Sequence, residues 1–247
     1  MSALAVKRLV AQTKAEVGMT LRRGESLLLT IAIPVILLVF LSKIHLARSA
    51  VSGSIGFLTP GILALAVMGT ALVNLSIATG FERGYGVLKR LGATPLGRPS
   101  LLGAKIAAVL VVEILQTIVL VGVALAIGWR PSAGGAGVAV VAVLLATAGF
   151  GGLGLFLAGL LRAEVNLAAA NGLWLLLLLV SGMVSPLGRL PKWLEDVAKV
   201  FPAAALAQAL HDALDPVRFG VPGWAWLALV LWAVVAPTAA ILTFRWE

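Results

Sequence analysis

Apolar runs of about twenty residues recur along this 247-residue chain, and they constrain its fold more than any other feature. The hydrocarbon core of a bilayer is ~30 Å thick and an α-helix rises ~1.5 Å per residue, so a run of this length is enough to cross it. A spanning segment must satisfy its backbone polar groups internally, which favours helices. The runs also lack the polar face of a soluble helix. The sequence therefore predicts an all-α, polytopic membrane protein.

Six transmembrane helices are predicted within a single transmembrane domain over residues 1–247. They cover residues 27–41, 55–81, 106–128, 138–161, 165–184 and 224–244. Residues 1–24 alternate apolar side chains with Lys and Arg, which is typical of an amphipathic helix at the membrane interface. Prolines divide residues 185–223 into two short helices, 193–200 and 203–214, and the second is apolar enough to re-enter the membrane. Glycines in the fourth span indicate close helix packing, within the chain or across a dimer.

The distribution of basic residues predicts how the chain lies in the membrane. Of the nineteen lysines and arginines, twelve fall on the side that holds both termini and seven on the other. Because cytoplasmic loops carry the excess of Lys and Arg, both termini and residues 82–105 are predicted to be cytoplasmic, and residues 185–223 external. The same bias explains the formal net charge of +9 without a nucleic-acid partner. We expect a multi-pass protein of the cytoplasmic membrane.

No enzymatic or metal site is predicted. The chain has no cysteine, which removes disulfides, thiolate catalysis and cysteine-ligated metals. An intramembrane serine protease would need a histidine inside a span, whereas His45 and His211 lie in external segments without a second ligand at metal spacing. The H-E-x-x-H motif is also absent. His211, Asp212 and Asp215 are interpreted as a solvated helix face.

The insert at residues 82–105 interrupts the apolar runs with the sequence E-R-G-Y-G-V-L-K-R-L-G-A-T-P-L-G-R-P-S-L-L-G-A-K. Its centre predicts a short amphipathic helix with Val87, Leu88 and Leu91 on one face. Gly92 suits the left-handed position after the helix, and Thr94 before Pro95 is expected to be extended. A helix presented in this way suits docking onto another protein or onto the membrane surface, and the residue pattern leaves both open.

The insert resembles a family signature. Glu82-Arg83-Gly84, then Val87-Leu88-Lys89-Arg90-Leu91 and Ala93-Thr94-Pro95-Leu96, is similar to the E-R-E-x-G-T-L-(K/E)-x-L-x-x-T-P-L motif of ABC-2 type transporter permeases, the membrane subunits of ATP-driven exporters. Gly84-Tyr85 replaces the second acidic residue, and Gly86-Val87 stands where Gly-Thr is common. The predicted N-terminal amphipathic helix, the six spans and the paired external helices before the sixth span also resemble this family, over essentially the whole chain. Within the family the chain resembles actinobacterial drug and lipid exporter permeases, including the daunorubicin-resistance type.

The resemblance implies that the insert is a coupling helix that fits a cleft of a nucleotide-binding subunit. The residues implied at this interface are Glu82, Arg83, Val87, Leu88, Lys89, Arg90, Leu91, Thr94 and Pro95. The chain lacks a G-x-x-x-x-G-K-[ST] loop, so ATP and Mg²⁺ would be bound by two copies of a separate ATPase and no cofactor by this chain. A second permease, identical or related, would complete a path for a hydrophobic or amphiphilic drug or lipid. The N-terminal helix would touch the ATPase.

Five polar residues inside the predicted spans are candidates for function: Asn74, Glu113, Gln116, Asn166 and Asn171. Glu113 lies about 12 Å into the bilayer, where an ionisable group is costly and by default functional. We favour a structural role, in which a protonated carboxyl is hydrogen-bonded to Gln116, Asn74 or another helix, because a lone acid without an intramembrane cation lacks a defined proton relay. A proton-coupled secondary transporter that uses Glu113 is therefore the second functional hypothesis. The asparagines are interpreted as packing elements, with the fifth span as a candidate wall of the substrate path.

Overall fold

The computed structural model describes residues 3–22, 24–43, 55–93, 97–216 and 220–244, and within these ranges the chain is helical without a β-strand. The helices are α1 (Ala3–Arg22), α2 (Gly24–Lys43), α3 (Ile55–Met68), α4 (Leu75–Gly84), α5 (Val87–Gly92), α6 (Arg98–Ala126), α7 (Ala136–Leu160), α8 (Ala163–Val180), α9 (Lys192–Lys199), α10 (Pro202–Leu214) and α11 (Gly223–Thr243). A π-helical segment, Gly69–Asn74, joins α3 to α4. The predicted all-α architecture is confirmed.

Five helical segments of the described chain are long and apolar enough to cross a membrane. They are Ile55–Gly84, Arg98–Ala126, Ala133–Leu160, Ala163–Val180 and Gly223–Thr243. The helix pair Val10–Arg22 and Leu27–Lys43, bent by 67°, adds a sixth if it is counted as one span. The protein is therefore a multi-pass membrane protein with five to six spans, against the six predicted.

The two ends of the helix bundle differ in structure. At one end, called the α5 end, Lys105 near the start of α6 contacts Glu16 of α1, and Phe244 after α11 packs against Gly159 near the end of α7. Glu16 of α1 and Phe244 therefore lie at the same end of the bundle. The opposite end, called the α10 end, is covered by α9 and α10. There the backbone N–H of Ser132 donates to Leu214 O at 3.1 Å.

The predicted helix boundaries hold for most elements and shift where proline or glycine acts. The two short helices before the last span are confirmed as α9 and α10, and α10 begins at Pro202, where the missing N–H costs nothing. The third span begins at Arg98 rather than at 106, with Pro99 in its first turn. The fifth ends at Val180 because the chain turns at Gly182, which has a φ of 75°.

The π-helical segment was not predicted. Its extra residue per turn displaces the helix that follows, and such turns often occur at functional sites. Thr70 and Asn74 lie within it, and both form hydrogen bonds to neighbouring spans. No proline or glycine pattern distinguishes this segment from an ordinary helix, since Gly69 alone is compatible with either form.

Glycines of α7 bring neighbouring helices close together within the chain. A methyl group at Gly152 would lie 2.3 Å from the backbone nitrogen of Pro237 in α11, and one at Gly154 would lie 2.7 Å from Leu72 O in the π-helical segment. These are backbone atoms and cannot move aside as a side chain can. The glycines of the fourth span therefore serve helix packing inside the chain.

Replacing Gly152 with alanine is expected to destabilise the folded protein by about 1–3 kcal/mol, because the new methyl overlaps α11. Thermal unfolding of the purified protein in lipid nanodiscs measures the loss. Gly122→Ala in α6 is the matched control, since a methyl there meets no atom of the described residues within 4 Å. Equal unfolding midpoints for Gly152→Ala and the wild type would contradict the packing described.

Candidate functional site

The predicted coupling loop forms a helical hairpin at the α5 end. The chain leaves α4 at Gly84 and reverses at Gly86, whose φ of 71° is a left-handed conformation that glycine adopts without strain. The short helix α5 follows and ends at Gly92, as predicted, although Gly92 itself does not adopt a left-handed conformation. Thr94 and Pro95 lie outside the described residues.

The apolar face of α5 packs onto its own chain. Leu88 is fully buried in the main apolar core, and Leu91 is partly buried against it. Val87 remains 38% exposed, and Lys89 and Arg90 are also exposed. Tyr85 in the preceding turn is 76% exposed. The accessible surface of the hairpin therefore combines apolar and basic side chains, and it is defined by Tyr85, Val87, Lys89 and Arg90.

The charged pair that opens the motif points into the protein. The guanidinium of Arg83 donates hydrogen bonds to Gly159 O and Leu161 O at the end of α7. Carbonyl groups at a helix C-terminus have no partner in their own helix and attract cations. Glu82 accepts a hydrogen bond from Lys105 Nζ at 2.6 Å. Both residues therefore connect the hairpin to the bundle that carries it.

Lys105 is the centre of a buried ion triad that joins three helices. Its ammonium lies 2.6 Å from Glu82 Oε2 of α4 and 3.1 Å from Glu16 Oε2 of α1. The side chains of Lys105, Glu82 and Glu16 are only 3%, 14% and 8% exposed. Gln12 Nε2 also donates to Glu16 Oε1 at 2.9 Å. No local sequence pattern indicates this triad, because its members are distant in the chain and each resembles an ordinary loop or interfacial charge.

A cavity of about 460 Å³, called the inner cavity, extends from the triad between α1, α2, α4 and α6. Its α5 end is lined by the triad together with Phe81 and Tyr85. Thr30, Thr70 and Asn74 line the part farther from the α5 end. Most of the remaining walls are apolar, and they include Met19, Leu27, Leu75, Ile77, Ala78, Ala108, Val109 and Val112. The cavity thus combines a charged part with apolar walls.

A second recess of about 370 Å³, called the lateral groove, lies between α2, the α3–α4 span, α6 and α8. It shares Thr30, Thr70 and Asn74 with the inner cavity. Its other lining residues are Leu29, Ile33, Pro34, Leu65, Ala66, Gly69, Val73, Gln116, Asn171 and Trp174. Three of the five predicted intramembrane polar candidates, Asn74, Gln116 and Asn171, therefore meet here.

Hydrogen bonds organise the polar side chains of the lateral groove. Gln116 Nε2 donates to Thr30 O at 2.7 Å and Gln116 Oε1 accepts from Thr70 Oγ1 at 3.1 Å. Asn74 Nδ2 donates to Thr30 Oγ1 at 3.0 Å, and Asn171 Nδ2 to Leu167 O of its own helix at 2.8 Å. Asn74 and Asn171 are nevertheless exposed. Because exposed amides are costly against lipid, a water-filled path or a protein contact suits this groove better.

Glu113 lies away from both recesses, buried between α6 and α7. Thr147 Oγ1 is 2.6 Å from Glu113 Oε2 and 2.8 Å from Val143 O. A threonine hydroxyl has one proton, so both contacts are satisfied together when a neutral Glu113 donates to Thr147. Of the partners predicted for Glu113, another helix is therefore the one observed, whereas Gln116 and Asn74 bind elsewhere. Glu113 Oε1 is buried and has no hydrogen-bond partner among the described residues.

Asn166 packs α8 against α4, as predicted for a packing element. Its side chain donates from Nδ2 to Ser76 O and accepts from Ser76 Oγ, both at 2.8 Å. A methyl group at Gly80 would lie 2.6 Å from Asn166 Nδ2, so the glycine makes this approach possible. Asn166 is completely buried and reaches neither recess.

The interpretation of His211, Asp212 and Asp215 as a solvated helix face was wrong for the first two. They lie at the α10 end, beside an outer pocket of about 700 Å³. The His211 ring stacks on Phe57 at 4.3 Å, with Nδ1 2.6 Å from Ala207 O and Nε2 3.0 Å from Phe57 O. Burial lowers the pKa of His211, against the effect of these carbonyl groups. Asp212 is buried and accepts from Gln208. His45 lies outside the described residues.

Comparison with known proteins supports one family. The family model described as ABC-2 type transporter matches residues 8–214. No curated protein sequence matches the chain. The matched range runs from α1 to the end of α10, so it contains the hairpin, the ion triad and both recesses.

Proposed function

Since the chain belongs to the ABC-2 type transporter family, whose permeases work in a membrane with an ABC ATPase, we propose that it is the permease of an ATP-driven exporter. As a transport component it has no catalytic role of its own. The proposed substrate is a hydrophobic or amphiphilic drug or lipid, as for the daunorubicin-resistance type of permease. The chain would act in the cytoplasmic membrane with both termini in the cytoplasm.

The family match is the observation that carries this proposal, and the lateral groove supports the amphiphilic class of substrate. It exposes Asn74 and Asn171 at the level of the spans beside apolar side chains such as Val73. A substrate with polar and apolar parts finds partners for both on such a surface. A second permease, identical or related, would face the groove and shield its amides from lipid. The fifth span, α8, then forms part of the wall of the path.

The accessible surface of the hairpin supports the proposed docking of the ATPase. Tyr85, Val87, Lys89 and Arg90 present an aromatic ring, an aliphatic side chain and two cations. A cleft with acidic rim groups and an apolar floor would complement them. Leu88, Glu82 and Arg83 would contribute indirectly, by fixing α5 to the bundle. Two ATPase copies, which bind ATP and Mg²⁺, would dock on two permeases.

Transport by the purified complex tests the proposal. The chain is reconstituted into liposomes with an ABC ATPase that co-purifies with it, and the movement of a lipophilic fluorescent probe is followed. We expect movement that requires hydrolysable ATP and both proteins. Movement that persists without the ATPase and follows a proton gradient would support the secondary transporter instead.

Replacing Glu113 with glutamine is expected to leave export within about twofold of the wild type. Glutamine keeps the size of a neutral carboxyl, and its amide can donate to Thr147 Oγ1 in the same way. Initial rates of ATP-driven transport, normalised to the amount of reconstituted protein, measure the effect. Loss of transport from a normally folded Glu113→Gln variant would overturn the structural role and favour a proton site.

A further inference from the structure

The charged part of the inner cavity has an excess of negative charge. Among the residues that line the cavity, Glu16 and Glu82 are acidic and Lys105 is basic. The single ammonium of Lys105 lies between the two carboxylates, at 3.1 Å and 2.6 Å. The guanidinium of Arg83, the residue next to Glu82, is directed to the carbonyl oxygens that end α7. The triad therefore carries one net negative charge beside the cavity.

This charge lies where it acts strongly on a ligand. The side chains of Glu16 and Glu82 are 8% and 14% exposed, so water screens them little. A buried charge is costly unless an opposite charge lies near it. Where the effective dielectric constant is low, a buried carboxylate attracts a cation over several ångströms. Among the described residues, Lys105 is the one cation within 4 Å of these two carboxylates, so a ligand cation in the cavity would add a second positive charge beside them. An anion would meet repulsion from the same position.

The neighbouring walls favour a cation with an apolar body. The rings of Phe81 and Tyr85 both line the cavity and stack with their centroids 6.1 Å apart. Aromatic faces attract cations, most strongly when these are poorly hydrated. Farther from the triad, Leu75, Val109 and Val112 form an apolar wall. The volume of about 460 Å³ is in the range of pockets that hold drug-sized molecules.

We propose that the inner cavity binds the transported substrate and selects monocationic amphiphiles. The cationic group lies beside Glu16 and Glu82, next to the Phe81–Tyr85 ring pair, and the apolar body lies against Val109 and Val112. This inference rests on the proposed function, because it names the substrate class of the same permease. Through Thr30, Thr70 and Asn74, which line both recesses, the cavity leads toward the lateral groove.

Two probes of nearly the same shape and opposite charge, tetraphenylphosphonium and tetraphenylborate, test the selectivity. Their stimulation of ATP hydrolysis by the reconstituted permease–ATPase complex is measured with the membrane potential collapsed. Glu16→Gln makes the triad neutral while the amide can still contact Lys105 and Gln12. Glu164→Gln is the matched control, since Glu164 is an exposed carboxylate in the first turn of α8 that does not line the cavity.

We expect Glu16→Gln to raise the half-saturating concentration of tetraphenylphosphonium about tenfold, with no such rise for tetraphenylborate. Glu164→Gln leaves both concentrations unchanged. Comparing each variant with the wild type cancels the different partitioning of the probes into lipid. Glu82→Gln is the second variant, for use if Glu16→Gln does not fold. We expect it to raise the half-saturating concentration of tetraphenylphosphonium as well.

Two results overturn the inference in distinguishable ways. Where ATP drives transport of lipophilic probes but neither Glu16→Gln nor Glu82→Gln changes the cation response, the cavity does not select by charge and the proposed function stands. Where ATP drives no transport of cationic, anionic or neutral probes by a folded complex, the proposed function fails and the inference fails with it.

Discussion

Replacing Lys105 with methionine is expected to destabilise the permease by about 3–5 kcal/mol, the loss typical of breaking a buried ion pair by removing one partner. Methionine keeps much of the length and volume of the lysine side chain but leaves Glu16 and Glu82 buried without their shared cation. The two carboxylates then repel each other, which weakens the packing of α1 and α4 on α6. The thermal unfolding midpoint of the purified chain in lipid nanodiscs measures the loss.

Two controls separate the ion triad from a general effect of losing a lysine. Lys192→Met removes an exposed cation at the α10 end, and we expect no more than about 0.5 kcal/mol of destabilisation. The triple variant Glu16→Gln, Glu82→Gln, Lys105→Met replaces all three charges by neutral groups and should recover most of the stability. A Lys105→Met protein as stable as the wild type would show that the triad does not hold the three helices together.

Reversing the charge of α5 is expected to abolish the association with the ATPase. The double variant Val87→Asp, Arg90→Glu places two carboxylates on the accessible surface of the hairpin, where an acidic cleft of the partner would repel them. We expect the affinity for the ATPase to fall at least about 100-fold, because like charges across an interface cost several kcal/mol. Binding of the purified ATPase to the permease in nanodiscs measures this loss.

Burial of the side chains of α5 decides which of them can be changed without unfolding the hairpin. Leu88→Asp would place a carboxylate in the apolar core, so its loss of binding could come from unfolding of the hairpin. Val87 and Arg90 are exposed, so their variants should keep the unfolding midpoint of the wild type. Lys192→Glu is the charge-reversal control at the α10 end. Undiminished ATPase binding by the folded double variant would exclude α5 as the docking surface.

The sequence was informative where local patterns decide the structure. Apolar runs predicted the spans, and prolines predicted the divided segment that forms α9 and α10. The amphipathic pattern of Val87, Leu88 and Leu91 predicted the helix α5 correctly. The pattern did not reveal what the apolar face contacts, because an apolar stripe can pack on the core of the same chain or on a partner protein. Leu88 is buried in its own chain.

Contacts between residues that are distant in the chain could not be predicted from the sequence. Glu16 and Lys105 meet through folding alone, and each resembles an ordinary charge at a membrane interface. Arg83 reads as a surface residue of a motif, yet it satisfies the carbonyl oxygens at the end of α7. His211 reads as solvated because its partner Phe57 lies at the start of another span. The π-helical segment likewise depends on packing among spans rather than on a local pattern.

The central claim, that α5 couples this chain to a separate ATPase, is tested most directly by cross-linking from position 87. The chain has no cysteine, so a single Val87→Cys variant carries the only reactive thiol of the permease. In the complex that transports with ATP, we predict that a thiol-to-amine cross-linker on this residue captures the ABC ATPase. The same cross-linker on Trp193→Cys, at a 68% exposed site of the α10 end, should capture none. Failure to capture the ATPase from position 87, or equal capture from position 193, would contradict the account.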